Sequence, residues 1–164
     1  MNEGLESRLP ATWIGRWLLA SLLGRTEQAA AFVPRLNGGA RGWNLDEPAV
    51  VEAVCTLVSS EALPPGGNDG AVTAFVYALI SRGGNPGLDQ AVLERVVLDA
   101  RGHTVDLGSV NAAELLQLRT YVAAWACRVL GYNSHEQVVP LVLAGERRAF
   151  EQGFHPSMAG LERE

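Results

Sequence analysis

Apolar residues recur along this chain at spacings of three and four, which is the spacing of one face of an α-helix. Near the start, Trp13 and Trp17 are four residues apart, as are Ile14 and Leu18. Similar segments follow, separated by short stretches rich in Gly, Pro, Asn and Asp that are typical of helix ends. The predicted helices cover about 10–23, 26–36, 47–62, 70–82, 86–101, 111–130 and 134–153.

Strand-like alternation of apolar and polar residues is confined to one short stretch, HTVDLGSV at 103–110. A single strand cannot bury itself, so this stretch is predicted to be a loop or a 3₁₀ turn. The fold class is therefore all-α, a compact single-domain helical bundle of about seven helices. We expect residues 1–153 to form the single all-helical domain and residues 154–164 to form an irregular C-terminal tail.

The segment 111–130 is predicted to be the central helix of this bundle. Asn111 and Glu114 form a variant of the capping box at its start, and Gly131 suits its end. Apolar residues cover much of its circumference, as expected of a helix surrounded by others. One stripe is assigned to the core, at Leu115, Leu118, Val122, Trp125 and Val129.

Short polar motifs predict where three other helices begin. Asp46 is a capping carboxylate ahead of Pro48, and Asn85 with Pro86 is a cap followed by a first helical residue. Ser134-His-Glu-Gln137 is a second capping box. In that last helix Pro140 and Gly145 predict a kink, and the stretch Glu146-Arg147-Arg148 predicts a solvated face.

The phrase GGN occurs twice, at 66–68 and 83–85, each time ahead of a predicted helix. A phosphate-binding loop of the Rossmann type needs a strand before it, and a P-loop needs a Lys after it. Helices precede both phrases, and all thirteen basic residues are Arg. The absence of Lys excludes P-loop and Schiff-base chemistry. The phrases are interpreted as loops that end one helix and begin the next, with a structural repeat as the alternative.

The composition narrows the possible environments and partners. With 48% apolar residues the chain can bury a core, and it has no uncharged apolar run of about 18 residues that could span a membrane. The net charge of −5 argues against nucleic acid, which usually requires a basic surface. Cys55 and Cys127 lie in apolar helical patterns and are expected to be buried thiols. Without an evident signal peptide, the expected location is the cytoplasm.

No catalytic or metal-binding motif is found among the polar residues. Helical metal sites favour ligands at i and i+3 or i+4, and no pair of histidines has this spacing. G-x-S-x-G is absent, so no nucleophile elbow is predicted. We therefore expect no cofactor, no metal and no catalytic residues of a known type. The residues that an unfamiliar active site could use are His103, Asp106, His135 and Glu136.

The remaining indication of function is an aromatic residue in a Gly-rich loop. Trp43, flanked by Arg41 and Asp46, either fills the protein's own core or anchors a partner. Arg147 and Arg148 could form the charged rim of a contact surface. These five residues are the predicted partner-binding residues.

Three interpretations of function follow. The first is a non-enzymatic helical protein–protein interaction module, such as an adaptor, an inhibitor or immunity-type protein, or a subunit of a larger assembly. Its partner would be another protein, with a homo-oligomer as one form. The second is a helical enzyme or small-molecule binder with a site between helices. The third is an all-helical subunit of a nucleoprotein complex that contacts RNA or DNA through dispersed Arg. A flat exposed apolar patch would favour the first interpretation, a deep polar pocket the second, and a contiguous Arg groove the third.

Overall fold

A computed structural model of the chain describes residues 9–32, 46–63, 69–82, 88–108 and 110–156. Within these ranges the chain forms seven α-helices and no strand, so the all-α prediction is confirmed. Both GGN phrases lie outside the described residues, as do residues 157–164 of the predicted tail. The helices are α1 (Trp13–Leu22), α2 (Thr26–Ala30), α3 (Pro48–Ala62), α4 (Asp69–Arg82), α5 (Gln90–Ala100), α6 (Ala112–Leu130) and α7 (His135–Glu151).

The predicted caps of α6 and α7 are confirmed. The Asn111 side chain accepts a hydrogen bond from the backbone N–H of Glu114 at 2.9 Å, and Gly131 ends α6 in the left-handed region at φ 78°. At the start of α7, the Gln137 side chain accepts from the backbone N–H of Ser134 at 3.2 Å. Both ends of α6 are therefore fixed by local interactions.

The predicted start of α5 is wrong. The helix begins at Gln90 rather than near residue 86, because Asp89 is its N-cap. One carboxylate oxygen of Asp89 accepts from the backbone N–H groups of Ala91 and Val92, at 2.9 and 3.3 Å. A carboxylate that satisfies two helix N–H groups at once makes this the favoured start. At α3, Glu47 rather than Asp46 occupies the N-cap position.

The centre of the bundle is formed by α3 and α6, which pack along each other. Helix α3 also contacts α1, α5 and α7, and α6 also contacts α1, α4 and α5. Helix α7 crosses α3 at Gly145. A Cβ at this position would collide with the Val54 side chain and lie 3.3 Å from the Val50 carbonyl oxygen. Gly145 therefore lets the two backbones approach closely, which explains a glycine in the middle of a helix.

The face of α6 that packs into the core differs from the predicted stripe. Of the five predicted residues only Val122 is fully buried, and Val129 is 52% exposed. The observed core face is centred on small residues such as Ala123 and Ala126, which allow α3 and α6 to pack closely. The prediction followed the largest apolar side chains, whereas the close helix contact uses the smallest. The buried residues of this face are Leu116, Arg119, Thr120, Val122, Ala123, Ala126 and Cys127.

None of the helices in the described ranges combines the length and the apolar character needed to cross a membrane. The stretch 103–108 contains no strand, as predicted.

Candidate functional site

A buried carboxylate joins the last helix to the first. Glu146 of α7 is only 3% exposed, so the prediction of a solvated face is wrong at this residue. Its carboxylate accepts from the backbone N–H of Ala11 at 3.1 Å and of Thr12 at 2.7 Å, and from the Thr12 hydroxyl at 2.5 Å. These groups lie at the N-terminus of α1, where backbone N–H groups lack helical partners. Glu146 therefore stabilises the start of α1 and does not form part of an open site.

A second buried carboxylate belongs to Glu47, at the N-cap of α3. It accepts a hydrogen bond from the indole N–H of Trp13. The Trp13 ring also stacks on Phe32, with 6.2 Å between the ring centroids. This group holds α1 and α3 together, which indicates a structural role for Glu47 as well.

A buried arginine links three helices. Arg119 of α6 donates to the carboxylate of Asp99 on α5 at 2.9 Å and lies 3.9 Å from the carboxylate of Glu52 on α3. Arg119 is therefore held by acidic groups and is not part of an exposed basic surface.

Both cysteines are buried, as predicted. Burial disfavours the charged thiolate and raises the pKa of the Cys55 thiol to about 12 and that of the Cys127 thiol to about 11. A reactive cysteine needs a lowered pKa and access to solvent. These two thiols therefore fit a core role and not that of a nucleophile.

The residues considered for an unfamiliar active site lie in two parts of the chain, the loop after α5 and the first turn of α7. His103 and Asp106 are exposed, and the Asp106 carboxylate accepts from the backbone N–H of Gly108 at 2.9 Å. His135 and Glu136 lie in the first turn of α7. In the described part of the chain, no group of three or more His, Cys, Asp or Glu side chains could hold a metal ion.

The structure describes three of the five predicted partner-binding residues. Trp43 and Arg41 lie outside the described residues, so their role stays a prediction. Asp46 is half-buried, and its carboxylate accepts from the backbone N–H of His155 at 2.8 Å, which ties the segment after α7 to the start of α3. Arg147 and Arg148 are exposed on α7.

Two hollows are present between the described helices. The smaller, about 220 Å³, lies between α3 and the end of α7, and the larger, about 420 Å³, lies beside α1 and α2. The smaller is lined by Ala49, Glu52, Ala53, Thr56, Arg148, Gln152 and Phe154. The larger is lined by Leu9, Arg16, Leu19, Ala20, Arg25, Gln28, Ala31 and Phe32. Neither contains a cluster of buried acid–base groups.

An aromatic surface lies on the side of α6 that faces away from the core. The helical period of 100° per residue places five residues within about 80° of arc there, which we call the outer face of α6. Tyr121 is 40% exposed, and the Arg128 guanidinium lies 5.6 Å from the centroid of the half-buried Trp125 ring. Val129 flanks this face. The outer face consists of Glu114, Gln117, Tyr121, Trp125 and Arg128.

This surface was missed in the sequence because Trp125 and Val129 were assigned to the core. The polar residues of α6 could have located it. Glu114, Gln117 and Arg128 recur at helical spacing and mark the solvent side, and Tyr121 lies between them on the same side. The solvent side of α6 is thus aromatic and apolar at its centre and charged at its two ends.

The chain matches no protein-family model, and neither the curated proteins nor the solved structures contain a match to it.

Proposed function

We propose that this chain is a non-enzymatic helical protein–protein interaction module that binds another polypeptide through the outer face of α6. The observation that carries the proposal is the exposure of Tyr121 beside Trp125 and Arg128. Tyr, Trp and Arg are the residue types that contribute most of the binding energy at protein interfaces.

The surroundings of this face suit a binding surface. Helix α6 is capped at both ends, and Arg119 holds its inner side to α5. A face that is already ordered loses little conformational freedom when a partner binds. Apolar area on Tyr121 and Val129 would leave water on binding, at roughly 25 cal/mol per Å². The charged residues at the ends would form the polar rim that interfaces usually have.

The other two interpretations have less support. The hollow between α3 and α7 is smaller than the ~300 Å³ at which ligand pockets usually begin. The larger hollow has the volume and the mostly apolar walls of a ligand pocket, but the charged residues of its described lining are both arginines, Arg16 and Arg25, so it offers no acid–base pair. Two arginines that a nucleic acid would need already have partners within the chain. Arg119 pairs with Asp99, and the Arg16 side chain donates to the Pro10 carbonyl oxygen at 2.8 Å. The net charge of −5 would also repel phosphates.

The test is capture of a polypeptide partner from the native host, followed by affinity measurement with purified components. Tyr121→Ala should weaken the complex by about 2 kcal/mol, which is roughly a 30-fold rise in Kd, while leaving the helical circular dichroism unchanged. The matched control is Tyr77→Ala, since Tyr77 is another exposed tyrosine, 64% exposed, on α4. Equal affinities for the two variants would reject the outer face of α6 as the binding surface.

A further inference from the structure

We propose that the outer face of α6 pairs with the same face of a second copy of this chain, in an antiparallel arrangement with the two-fold axis at Tyr121. The inference rests on the proposed function, because it names the partner of the same surface. The distribution of charge along the face, and not its apolar character alone, carries it.

The charges are placed symmetrically about Tyr121. Glu114 lies seven residues before it and Arg128 seven residues after it. Seven residues are nearly two full turns, so all three residues lie on one side of the helix, and each charge is about 10.5 Å from Tyr121 along the axis. Both charged side chains are exposed. The face therefore has an acidic end, an aromatic centre and a basic end.

This arrangement is complementary to itself in only one direction. When two copies pair antiparallel about Tyr121, Glu114 of each copy lies opposite Arg128 of the other, and the two Tyr121 rings meet. Parallel pairing would bring Glu114 against Glu114 and Arg128 against Arg128, and like charges across an interface are strongly unfavourable. An antiparallel two-fold pair uses the same patch on both copies, as closed dimers do.

The remaining residues of the face are compatible with this register. Residues whose numbers sum to 242 lie opposite each other, so Gln117 of one copy faces Trp125 of the other. Leu118, which is half-buried, lies opposite Ala124. The paired surface then has aromatic and apolar groups at its centre and two Glu–Arg pairs at its ends.

The test exchanges charges between copies. Arg128→Glu and Glu114→Arg are purified separately, and their association is measured by sedimentation velocity beside the unchanged chain. The unchanged chain should dimerise, and each variant alone should show a dimer Kd at least tenfold higher. An equimolar mixture of the two variants should dimerise again, because both end pairs then join opposite charges. Arg147→Glu, a matched change of an exposed arginine on α7, should leave the dimer unchanged.

A thiol experiment checks the register without depending on charge. Cys55 and Cys127 are buried, so Tyr121→Cys adds an accessible thiol to a chain whose own thiols are shielded. Mild oxidation should link two copies through residue 121, whereas Tyr77→Cys, under the same conditions, should give far less linked product. This measurement also covers the case in which a charge variant fails to fold.

The outcomes separate this inference from the proposed function. A chain that stays monomeric at high concentration yet binds a different polypeptide through Tyr121 would overturn the pairing and keep the interaction module. Two results would overturn the antiparallel register. One is a dimer that is insensitive to Arg128→Glu, and the other is a mixture of the two variants that fails to associate while both remain helical. A monomer whose Tyr121 variants bind every polypeptide normally would overturn both.

Discussion

Replacing Glu146 with Ala removes the acceptor for three donors at the start of α1. The Ala11 and Thr12 N–H groups and the Thr12 hydroxyl all donate to this carboxylate, at 2.5 to 3.1 Å. The substitution leaves these groups buried or partly buried without a partner and opens a cavity beside Gly15, where a Cβ would lie 2.7 Å from a Glu146 oxygen. The first turn of α1 then loses the interaction that joins it to α7.

The magnitude follows from the hydrogen bonds. Each bond to a charged group is worth about 1.5–3 kcal/mol, so three bonds set an upper bound of roughly 5–9 kcal/mol. Removal of the buried carboxylate also returns its desolvation cost, and water can reach part of the cavity. We therefore expect Glu146→Ala to lower the free energy of unfolding by about 3–5 kcal/mol, as is usual when one partner of a buried charged group is lost. Domains of this size are stable by only about 5–15 kcal/mol, so this loss is large.

The assay is urea denaturation at pH 7, followed by tryptophan fluorescence and by far-ultraviolet circular dichroism. Glu151→Ala is the matched control, because Glu151 is an exposed glutamate on the same helix, and its removal should change stability by no more than about 0.5 kcal/mol. Glu146→Gln keeps the shape but points amide hydrogens at donors, so its cost should lie between the two. A loss for Glu146→Ala within about 1 kcal/mol of that for Glu151→Ala would refute the reasoning.

Three further predictions concern the core. Gly145→Ala should lower the free energy of unfolding by about 1–3 kcal/mol because its methyl group collides with Val54. Adding Val54→Ala should recover part of that loss in urea denaturation, whereas strictly additive effects of the two substitutions would contradict the contact. The free energy of unfolding should fall as the pH rises above about 9, because the unfolded thiols ionise there while the pKa of Cys127 is about 11 and that of Cys55 about 12 in the fold. Cys55→Ala should flatten this fall, and an unchanged slope would argue against a contribution from the Cys55 thiol. Trp125→Ala should lower stability by only about 1–2 kcal/mol in thermal unfolding, less than the 3–5 kcal/mol usual for a fully buried Trp, because its side chain is only partly buried; a larger loss would place it in the core.

The parts of the fold that depend on neighbouring residues could be predicted from the sequence. Asn111, Gly131 and the Ser134–Gln137 box act within one turn of their own helix, so their side chains and backbone conformation determine the helix ends. The start of α5 was misplaced because two cap motifs lie close together in the chain. The carboxylate of Asp89 satisfies two N–H groups of the observed first turn.

The parts that depend on contacts between distant residues could not be predicted. Glu146 accepts from Thr12, 134 residues away. The apolar spacing of Val138, Val142 and Ala149 places position 146 near the buried face of α7, but nothing within α7 shows which donors would satisfy a carboxylate there. The face of α6 could not be assigned either, because an apolar stripe at Trp125 and Val129 has the same period as the true core stripe. Only the position of α3 shows that Ala123 and Ala126 face inward.

Helix α6 thus buries a charged side chain, Arg119, and exposes an aromatic one, Tyr121, which stability alone would not favour. A buried ion pair such as Arg119–Asp99 often contributes no more than apolar side chains of similar size, and Tyr121 on the solvent side gains little from folding. The buried pair favours the observed rotation of α6 against α5, because the guanidinium meets the Asp99 carboxylate in that orientation. A fixed rotation also keeps Ala123 and Ala126 against α3. It is of direct value to a helix that must present Tyr121 and Trp125 to a partner in one orientation, and this supports the outer face of α6 as the working surface of the protein.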